Sequence, residues 1–151
     1  MKLYNVNGIE IYNLPGHGNS NDLDSAKLSG LNLSFVDLEG FNLSDADMSY
    51  AILKGANLYW AILFRANLTE ANLADADLRG ANLCQAKMVK ADLSGSNFGY
   101  DKLGVAAKLQ GAQLLEAIIE DSNFIGAEYD DFTVFPKDFN PITRGMRMVN
   151  F

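Results

Sequence analysis

The chain has 151 residues, of which 48% are hydrophobic, and it carries a formal net charge of −7. This length suits a single domain with a buried core, and the apolar content argues against a disordered chain. No apolar run approaches the roughly 18 residues of a membrane-spanning helix, and the phosphate backbone of nucleic acid repels an acidic protein. We therefore expect a soluble protein without membrane insertion or direct nucleic-acid binding.

Residues 1–20 precede the regular part of the chain. The stretch LYNVNGIEIY alternates apolar and polar residues on both sides of Asn7-Gly8, which is a strong signal for a β-hairpin with a type I′ turn. We predict that this segment is an N-terminal cap. It lacks the apolar region of a signal peptide, so we expect a cytoplasmic location. His17, the only histidine, is predicted to lie in a loop, and Cys84 has no partner for an internal disulfide.

A five-residue repeat follows. From Leu23 to Leu103 an apolar residue recurs at every fifth position, and after one six-residue step the repeat resumes from Leu109 to Tyr129. All 22 of these central positions are apolar and 16 are leucine. Two residues before the centre, 15 of the 22 positions are alanine, and immediately before it 13 are Asp or Asn. The consensus is therefore Ala-(Asp/Asn)-Leu-x-x.

This period excludes both common secondary structures. Five residues advance an α-helix by about 500°, so the leucines would not form one stripe. In a straight strand an odd period sends successive leucines to opposite faces. The pattern fits a chain that turns once in each unit, with Ala and Leu pointing inward and the last two residues forming the corner.

The units ANLTE, ANLAD, ADLRG and ANLCQ carry the consensus without exception, and with them the sequence resembles the pentapeptide-repeat proteins of cyanobacteria. The resemblance covers about residues 21–130. It implies an all-β fold, a right-handed quadrilateral parallel β-helix with four units in each coil. Residues twenty apart should then stack in columns, with coils about 4.8 Å apart.

One stretch of the repeat, NLYWAILFRANL at residues 57–68, places bulky side chains at outward positions. With Tyr100, which shares a column with Trp60, these side chains form a candidate interaction surface that we call the aromatic edge: Tyr59, Trp60, Ile62, Phe64 and Tyr100. Tyr50 and Ile52 are expected on neighbouring faces. The rings either cover backbone at a corner, alone or under a terminal segment, or bind a partner or a second copy. A groove for a small ligand is a third alternative.

The six-residue step at 104–107 interrupts the repeat, and Asp101 just before it occupies an inward position. We expect a bulge here. It is either a tolerated insertion or a local surface feature that directs a contact.

The C-terminal part is acidic and then irregular. Residues 116–138 carry a net charge of −6, and the candidate acidic surface consists of Glu116, Glu120, Asp121, Glu128, Asp130 and Asp131. After residue 130 the segment 131–151 breaks the repeat with two prolines. It is similar to the short tails of many cyanobacterial pentapeptide-repeat proteins, and we predict a C-terminal lid that contains no dimerisation helix.

The predicted function is a non-catalytic scaffold for protein–protein interaction, acting as a monomer or weak homodimer. The sequence shows no Ser-His-Asp set, phosphate-binding loop or metal-ligand spacing, so we expect no catalytic residues, no cofactor and no metal. The resemblance also implies an alternative, because some family members are quinolone-resistance factors that imitate DNA and occupy the DNA-binding saddle of gyrase. This chain departs from them: its middle is almost neutral, and acids are not stacked there in adjacent coils.

Overall fold

The computed structural model describes residues 2–13 and 21–150, and the side chains of residues 11–13 are not among the features described. Within these residues there are four short strands: β1 (Lys2–Tyr4), β2 (Glu10–Asn13), β3 (Glu128–Tyr129) and β4 (Arg147–Met148). Strands β1 and β2 pair antiparallel, and β3 and β4 pair parallel. The described residues form no helix that could cross a membrane. The predicted loop residue His17 lies outside the described residues.

A coil of parallel single-residue bridges lies between these two pairs. The bridges join residues twenty apart, from Asp22↔Asn42 to Asp77↔Asn97. Since each unit has five residues, one coil contains four units and therefore four walls, as the resemblance implied. Each wall contributes only the residue before the central position to the ladder, which explains why so few continuous strands form.

The unit from Asn57 illustrates how the repeat folds. Leu58 is buried, and its carbonyl accepts a hydrogen bond from Ala61 N–H at 3.0 Å, which closes a four-residue turn. The Asn57 side chain accepts from Tyr59 N–H at 3.1 Å and so holds the start of the turn. The next coil is joined by the Leu58 N–H bond to Asp77 O at 2.9 Å.

Every corner from residue 25 to residue 95 has a positive φ at its second residue, including φ of 59° at Tyr50 and 56° at Trp60. A positive φ at the third position of a turn is the type II geometry, which glycine adopts most easily. Bulky residues at this position therefore cost backbone energy, on the order of 1–2 kcal/mol each, which the ladder and the core must offset.

The central residues form one continuous core along the axis. The leucines at these positions from Leu23 to Leu93 are fully buried, as are most of the alanines two positions earlier. Toward the C-terminal end the core becomes aromatic, because Phe98 and Phe124 stack with their ring centroids 4.6 Å apart. The prediction that leucine lines a single internal axis is correct for this range.

The N-terminal strands form a hairpin whose turn differs from the prediction. Asn5 N–H donates to Ile9 O at 2.8 Å, and Gly8 N–H donates to Asn5 O at 2.8 Å. Gly8 has a φ of 75°, but Asn7 does not have a positive φ. A type I′ turn needs positive φ at both residues, so the type I′ prediction is wrong.

This hairpin contacts the coil through β1. Tyr4 O accepts from Asp37 N–H at 2.8 Å, and Val6 N–H donates to Phe35 O at 2.8 Å. Leu3 is 1% exposed and belongs to the core. These contacts place the hairpin beside the first described coil.

The six-residue step is the largest departure from the predicted repeat. Bridges that span it join residues 26 apart, as in Asn82↔Lys108, so six residues are looped out of the coil. Leu103, counted in the sequence as a central residue, is 78% exposed, and that assignment is wrong. The coil is closed behind the loop by Ala107 N–H, which donates to Phe98 O at 2.9 Å, the same bond that closes the other corners. We call residues 99–106 the strap.

The tail after residue 130 packs against the C-terminal end of the core. The Phe139 ring meets the Phe124 ring edge to face, with centroids 5.3 Å apart, and stacks on the Phe135 ring, with centroids 4.8 Å apart. Gly126 N–H donates to Gly145 O at 2.8 Å as the chain returns alongside the last coil. The described part of the tail forms no helix.

Candidate functional site

The carboxylate of Asp101 connects the strap to the wall of the coil. Oδ1 accepts from Leu103 N–H and Val105 N–H, both at 2.8 Å. Oδ2 accepts from the Tyr59 hydroxyl at 2.9 Å and the Trp60 indole N–H at 3.1 Å. Asp101 was expected to point inward, and that expectation is wrong: its side chain turns back onto the outer wall, because the strap has left the coil.

Four donors surround this carboxylate, and the residue is 9% exposed. The bond from Val105 N–H does most to hold the pKa of Asp101 below its usual value, and the bonds from Tyr59, Trp60 and Leu103 act in the same direction. The hydrogen bond to Asp101 also raises the pKa of the Tyr59 hydroxyl. Asp101 is therefore ionised at neutral pH and all four bonds are formed.

Tyr59 and Trp60 are held as a pair. Their rings meet edge to face, with centroids 6.3 Å apart. The Arg79 guanidinium lies 5.6 Å from the centroid of the Tyr59 ring, and Asp77 in turn binds Arg79 through both carboxylate oxygens, at 2.9 and 2.6 Å. Tyr59 is half-buried between these groups, whereas Trp60 stays 42% exposed.

Glycines in the column of Trp60 make room for its large rings. A Cβ atom added to Gly80, one coil further on, would lie 2.9 Å from Trp60 Nε1. A Cβ atom on Gly126 would lie 2.1 Å from Tyr100 Cζ. Each ring therefore covers the glycine of the following coil, so Tyr100 leans toward the C-terminal end and away from Trp60.

The aromatic edge continues around the corner. Ile62 is 41% exposed in the next wall. Phe64 is half-buried, and the Arg65 guanidinium lies 5.0 Å from the centroid of its ring. Arg65 is held by Asp45 in the preceding coil through bonds of 2.8 and 2.5 Å. The structure thus joins Tyr59 and Trp60 through Asp101, places Ile62 and Phe64 beside them, and sets Tyr100 two coils away.

Tyr50 and Ile52 do not belong to this surface. They precede Trp60 and Ile62 by ten residues, which is half of the twenty-residue coil. Tyr50 lies at the corner diagonally opposite Trp60 and is 58% exposed, and Ile52 lies on the wall opposite Ile62 and is 42% exposed. Their expected position on faces neighbouring the aromatic edge is therefore wrong.

The candidate acidic surface is divided among several corners. Glu116 and Asp121 stand at the second residue of two successive corners, and Asp131 is the first residue of a later corner. Glu120 is exposed beside Asp121, and Glu116 lies 3.8 Å from Lys90. These acids surround the end of the coil and do not form one continuous row.

Two other acids of this group have structural partners. Glu128 forms an ion pair with Arg147 and accepts from the Gln110 amide at 3.0 Å. Asp130 accepts from Gly111 N–H at 2.8 Å and from the Thr133 hydroxyl at 2.9 Å. Both side chains help to attach the tail to the last coils.

No group of three His, Cys, Asp or Glu residues in the described ranges 2–13 and 21–150 is arranged to hold a metal ion. Sequence reasoning missed two residues near the aromatic edge: Arg79, which lies twenty residues after Tyr59 in the same column, and Leu103 at the tip of the strap. The position of Arg79 in the column of Tyr59 could have predicted this contact from the sequence. No sequence signal could have predicted the exposed position of Leu103, because Leu103 matches the repeat.

The family model of pentapeptide repeats matches residues 26–63 and 61–99. No curated protein matches the chain. Among solved structures, a pentapeptide repeat protein (Rfr23) of the cyanobacterium Cyanothece 51142 is similar at 37% identity, with a TM-score of 0.61. The similarity covers 68% of this chain and 65% of that protein, so the chain spans just under two thirds of its length.

A second similar structure is alr5209, a pentapeptide repeat protein of Nostoc Pcc 7120, with 32% identity and a TM-score of 0.57. This similarity covers 85% of each chain. A third is AT2G44920, a pentapeptide repeat protein of the Arabidopsis thaliana thylakoid lumen, with 30% identity over 82% of this chain and 76% of that one. Its TM-score is 0.48.

Proposed function

Because the chain belongs to the pentapeptide-repeat family and its fold is a right-handed β-helix, we propose that it is a non-catalytic scaffold for protein–protein interaction. The aromatic edge is its contact surface. The observation that carries this proposal is the exposure of Trp60 and Ile62 at one corner, 42% and 41%, on a wall that is fixed by backbone bonds in both directions.

Rigid presentation favours binding. Tyr59 and Trp60 have their side chains already ordered by Asp101, so a partner does not bear the entropy cost of immobilising them. Aromatic residues surrounded by arginine are typical of the energetically important centre of a protein interface. Arg65 and Arg79 lie against rings of the aromatic edge.

The opposite wall provides a matched control. Ile52 and Ile62 occupy the same position in their units, are 42% and 41% exposed, and lie on opposite walls. We expect a photo-crosslinking residue at position 62, introduced in native cells, to capture a discrete protein, and the same residue at position 52 to capture none. The replacements Trp60→Ser and Phe64→Ser should remove the adduct, whereas Tyr50→Ser should not.

Thermal unfolding separates binding from stability in the same variants. If the aromatic edge is a contact surface, Trp60→Ser and Phe64→Ser should keep cooperative unfolding and lose only the crosslink. Equal capture at both positions, or no capture at either, would contradict the proposal. Unfolding of the serine variants would show instead that the rings serve to cover the backbone.

The other elements of the proposal follow the same reasoning. The hairpin and the tail act as caps for the two ends of the coil, because Leu3 and Phe139 contact core residues there. A cytoplasmic location stays a prediction, and one similar structure is that of a thylakoid lumen protein. Monomer or weak homodimer is the expected state, which sedimentation velocity can measure.

A further inference from the structure

We propose that the strap is a conformational device with a single latch, Asp101, and that it opens as a unit while the coil stays folded. Opening releases Tyr59 and Trp60 from Asp101 of the strap and so changes how the aromatic edge is presented. The effect of opening on the binding of a partner rests on the proposed function, whereas the opening itself is a property of the isolated protein.

The base of the strap is closed without the strap. Ala107 N–H donates to Phe98 O at 2.9 Å. This is the bond that closes a normal corner, in which the acceptor is the carbonyl of the preceding central residue. The ladder continues on both sides, from Asn97↔Asn123 to Asn82↔Lys108. Movement of the strap therefore breaks no bond that defines the coil.

The strap also has its own internal structure. Asp101 N–H donates to Val105 O at 2.8 Å, and Gly104 N–H donates to Asp101 O at 3.2 Å. Oδ1 of Asp101 adds the bonds from Leu103 and Val105. These bonds lie inside the segment, so the strap can move as one body.

Ala106 at the base of the strap is buried, and few hydrogen bonds hold the rest of this body against the wall. Beyond Gly99 at the base, the side-chain hydrogen bonds from the strap to the rest of the described chain are those of Asp101 Oδ2, with Tyr59 and Trp60. Leu103 at the tip is 78% exposed and buries little apolar surface. Lys102 beside it is also exposed. One oxygen atom therefore serves as the latch.

The corner below the strap already lacks its ladder bond. At the other corners from residue 25 to residue 95 the second residue donates its N–H to the next coil, as Trp60 does to Arg79 O at 3.1 Å. Within the described residues, the N–H groups of Gly80 and Tyr100 have no acceptor in the protein. Opening costs nothing at these positions, since no bond is present to be lost.

Asp101→Asn tests the latch. An asparagine side chain has one acceptor oxygen, so it cannot serve the strap backbone and the indole N–H at the same time. Asp75→Asn is the matched control, because Asp75 is an exposed acid on another corner and the charge change is identical. Tyr59→Phe removes one of the two latch donors and leaves the carboxylate in place.

Two measurements report on the strap in the purified protein. Trypsin cleaves after Lys102, and cleavage of a transiently open segment follows the population of its open form. We expect Asp101→Asn to accelerate this cleavage on the order of tenfold, since bonds to a charged acceptor are lost, and to shift the emission of the single tryptophan. Asp75→Asn should change neither, and both variants should keep the wild-type circular dichroism spectrum.

The result that would overturn the inference is an Asp101→Asn variant that matches Asp75→Asn in cleavage rate and emission. Loss of the β-helical spectrum in step with cleavage after Lys102 would also overturn it, because the strap would then be part of the coil. Neither measurement involves a partner. The strap can therefore fail while the crosslinking result stands, and the reverse also holds.

Discussion

Deletion of residues 101–106 should restore the uninterrupted repeat. The sequence then reads Ser-Asn-Phe-Gly-Tyr followed directly by Ala-Lys-Leu-Gln-Gly, two complete units that join Tyr100 to Ala107. Phe98 and Ala107 already sit at the spacing of a normal corner. We expect the shortened chain to fold with a twenty-residue register across the junction.

The expected change in stability is small, because its contributions oppose each other. Two ladder bonds, from the N–H groups of Gly80 and Tyr100, can form again and contribute about 0.5–1.5 kcal/mol each. Shortening the connection between Phe98 and Ala107 from eight residues to two removes two doublings of loop length, worth about 1.2 kcal/mol. Against this, Tyr100 must adopt the positive φ of Tyr50 and Trp60, at about 1–2 kcal/mol, and the bonds from Tyr59 and Trp60 to Asp101 are lost.

Thermal unfolding followed by circular dichroism measures the result. A net change within about 2 kcal/mol corresponds to a Tm within about 8 °C of the wild type for a chain of this size. Deletion of residues 101–105 is the control: it leaves one residue too many between Phe98 and Ala107 and should be the less stable of the two. Loss of cooperative unfolding in the six-residue deletion, or a Tm lower by far more than 10 °C, would refute this account of the insertion.

Four further outcomes are expected. Leu58→Ala should destabilise the protein by about 2–5 kcal/mol in urea titration, whereas Leu103→Ala should change stability by less than about 0.5 kcal/mol; similar losses would show that both leucines are in the core. Gly80→Ala should shift the emission of the single tryptophan, because the new Cβ would meet the indole at 2.9 Å, whereas Gly40→Ala has nothing within 4 Å and should leave the emission unchanged. The pKa of Asp101 lies below its ordinary 3.8, so the ionised carboxylate stabilises the protein above pH 3.8 and this stabilisation is lost as the pH falls through the lowered pKa. Tryptophan emission should therefore stay constant from neutral pH to about 4 and change only at lower pH. Asp101→Asn should abolish this change in emission. Because the acids surround the end of the coil without forming a row, micromolar protein should not inhibit DNA supercoiling by gyrase, and inhibition that disappears on neutralising these acids would favour DNA mimicry.

The regular part of the fold was predictable because each unit repeats one local solution. A fully buried leucine such as Leu58, an alanine two residues earlier and an Asn57 side chain that caps the turn recur with little variation. Periodicity therefore gave a chain that turns once in each unit and the outward positions of Trp60 and Ile62, and the family resemblance gave the four walls of the coil. The positive φ of the corners was not predicted, since residues as different as Trp60 and Glu70 occupy them.

The errors cluster where a residue matches the repeat and yet leaves it. Leu103 fits the five-residue pattern, and no local signal distinguishes it from Leu58. The deciding factor is where the chain rejoins the ladder. Rejoining at Lys108 aligns Ala107 and Leu109 with the coil below, and six extra residues must then lie outside the coil. Only contacts between coils reveal this choice.

The sequence by itself determined the coil, because a leucine at every fifth position can share one buried axis only if the backbone turns in each unit. The tertiary structure decided the surface, where no period applies. Asp101 and Trp60 are 41 residues apart, and they meet because the strap folds back across the wall. Burial is repeated in every unit and so leaves a periodic trace in the sequence. A single contact between distant residues leaves none.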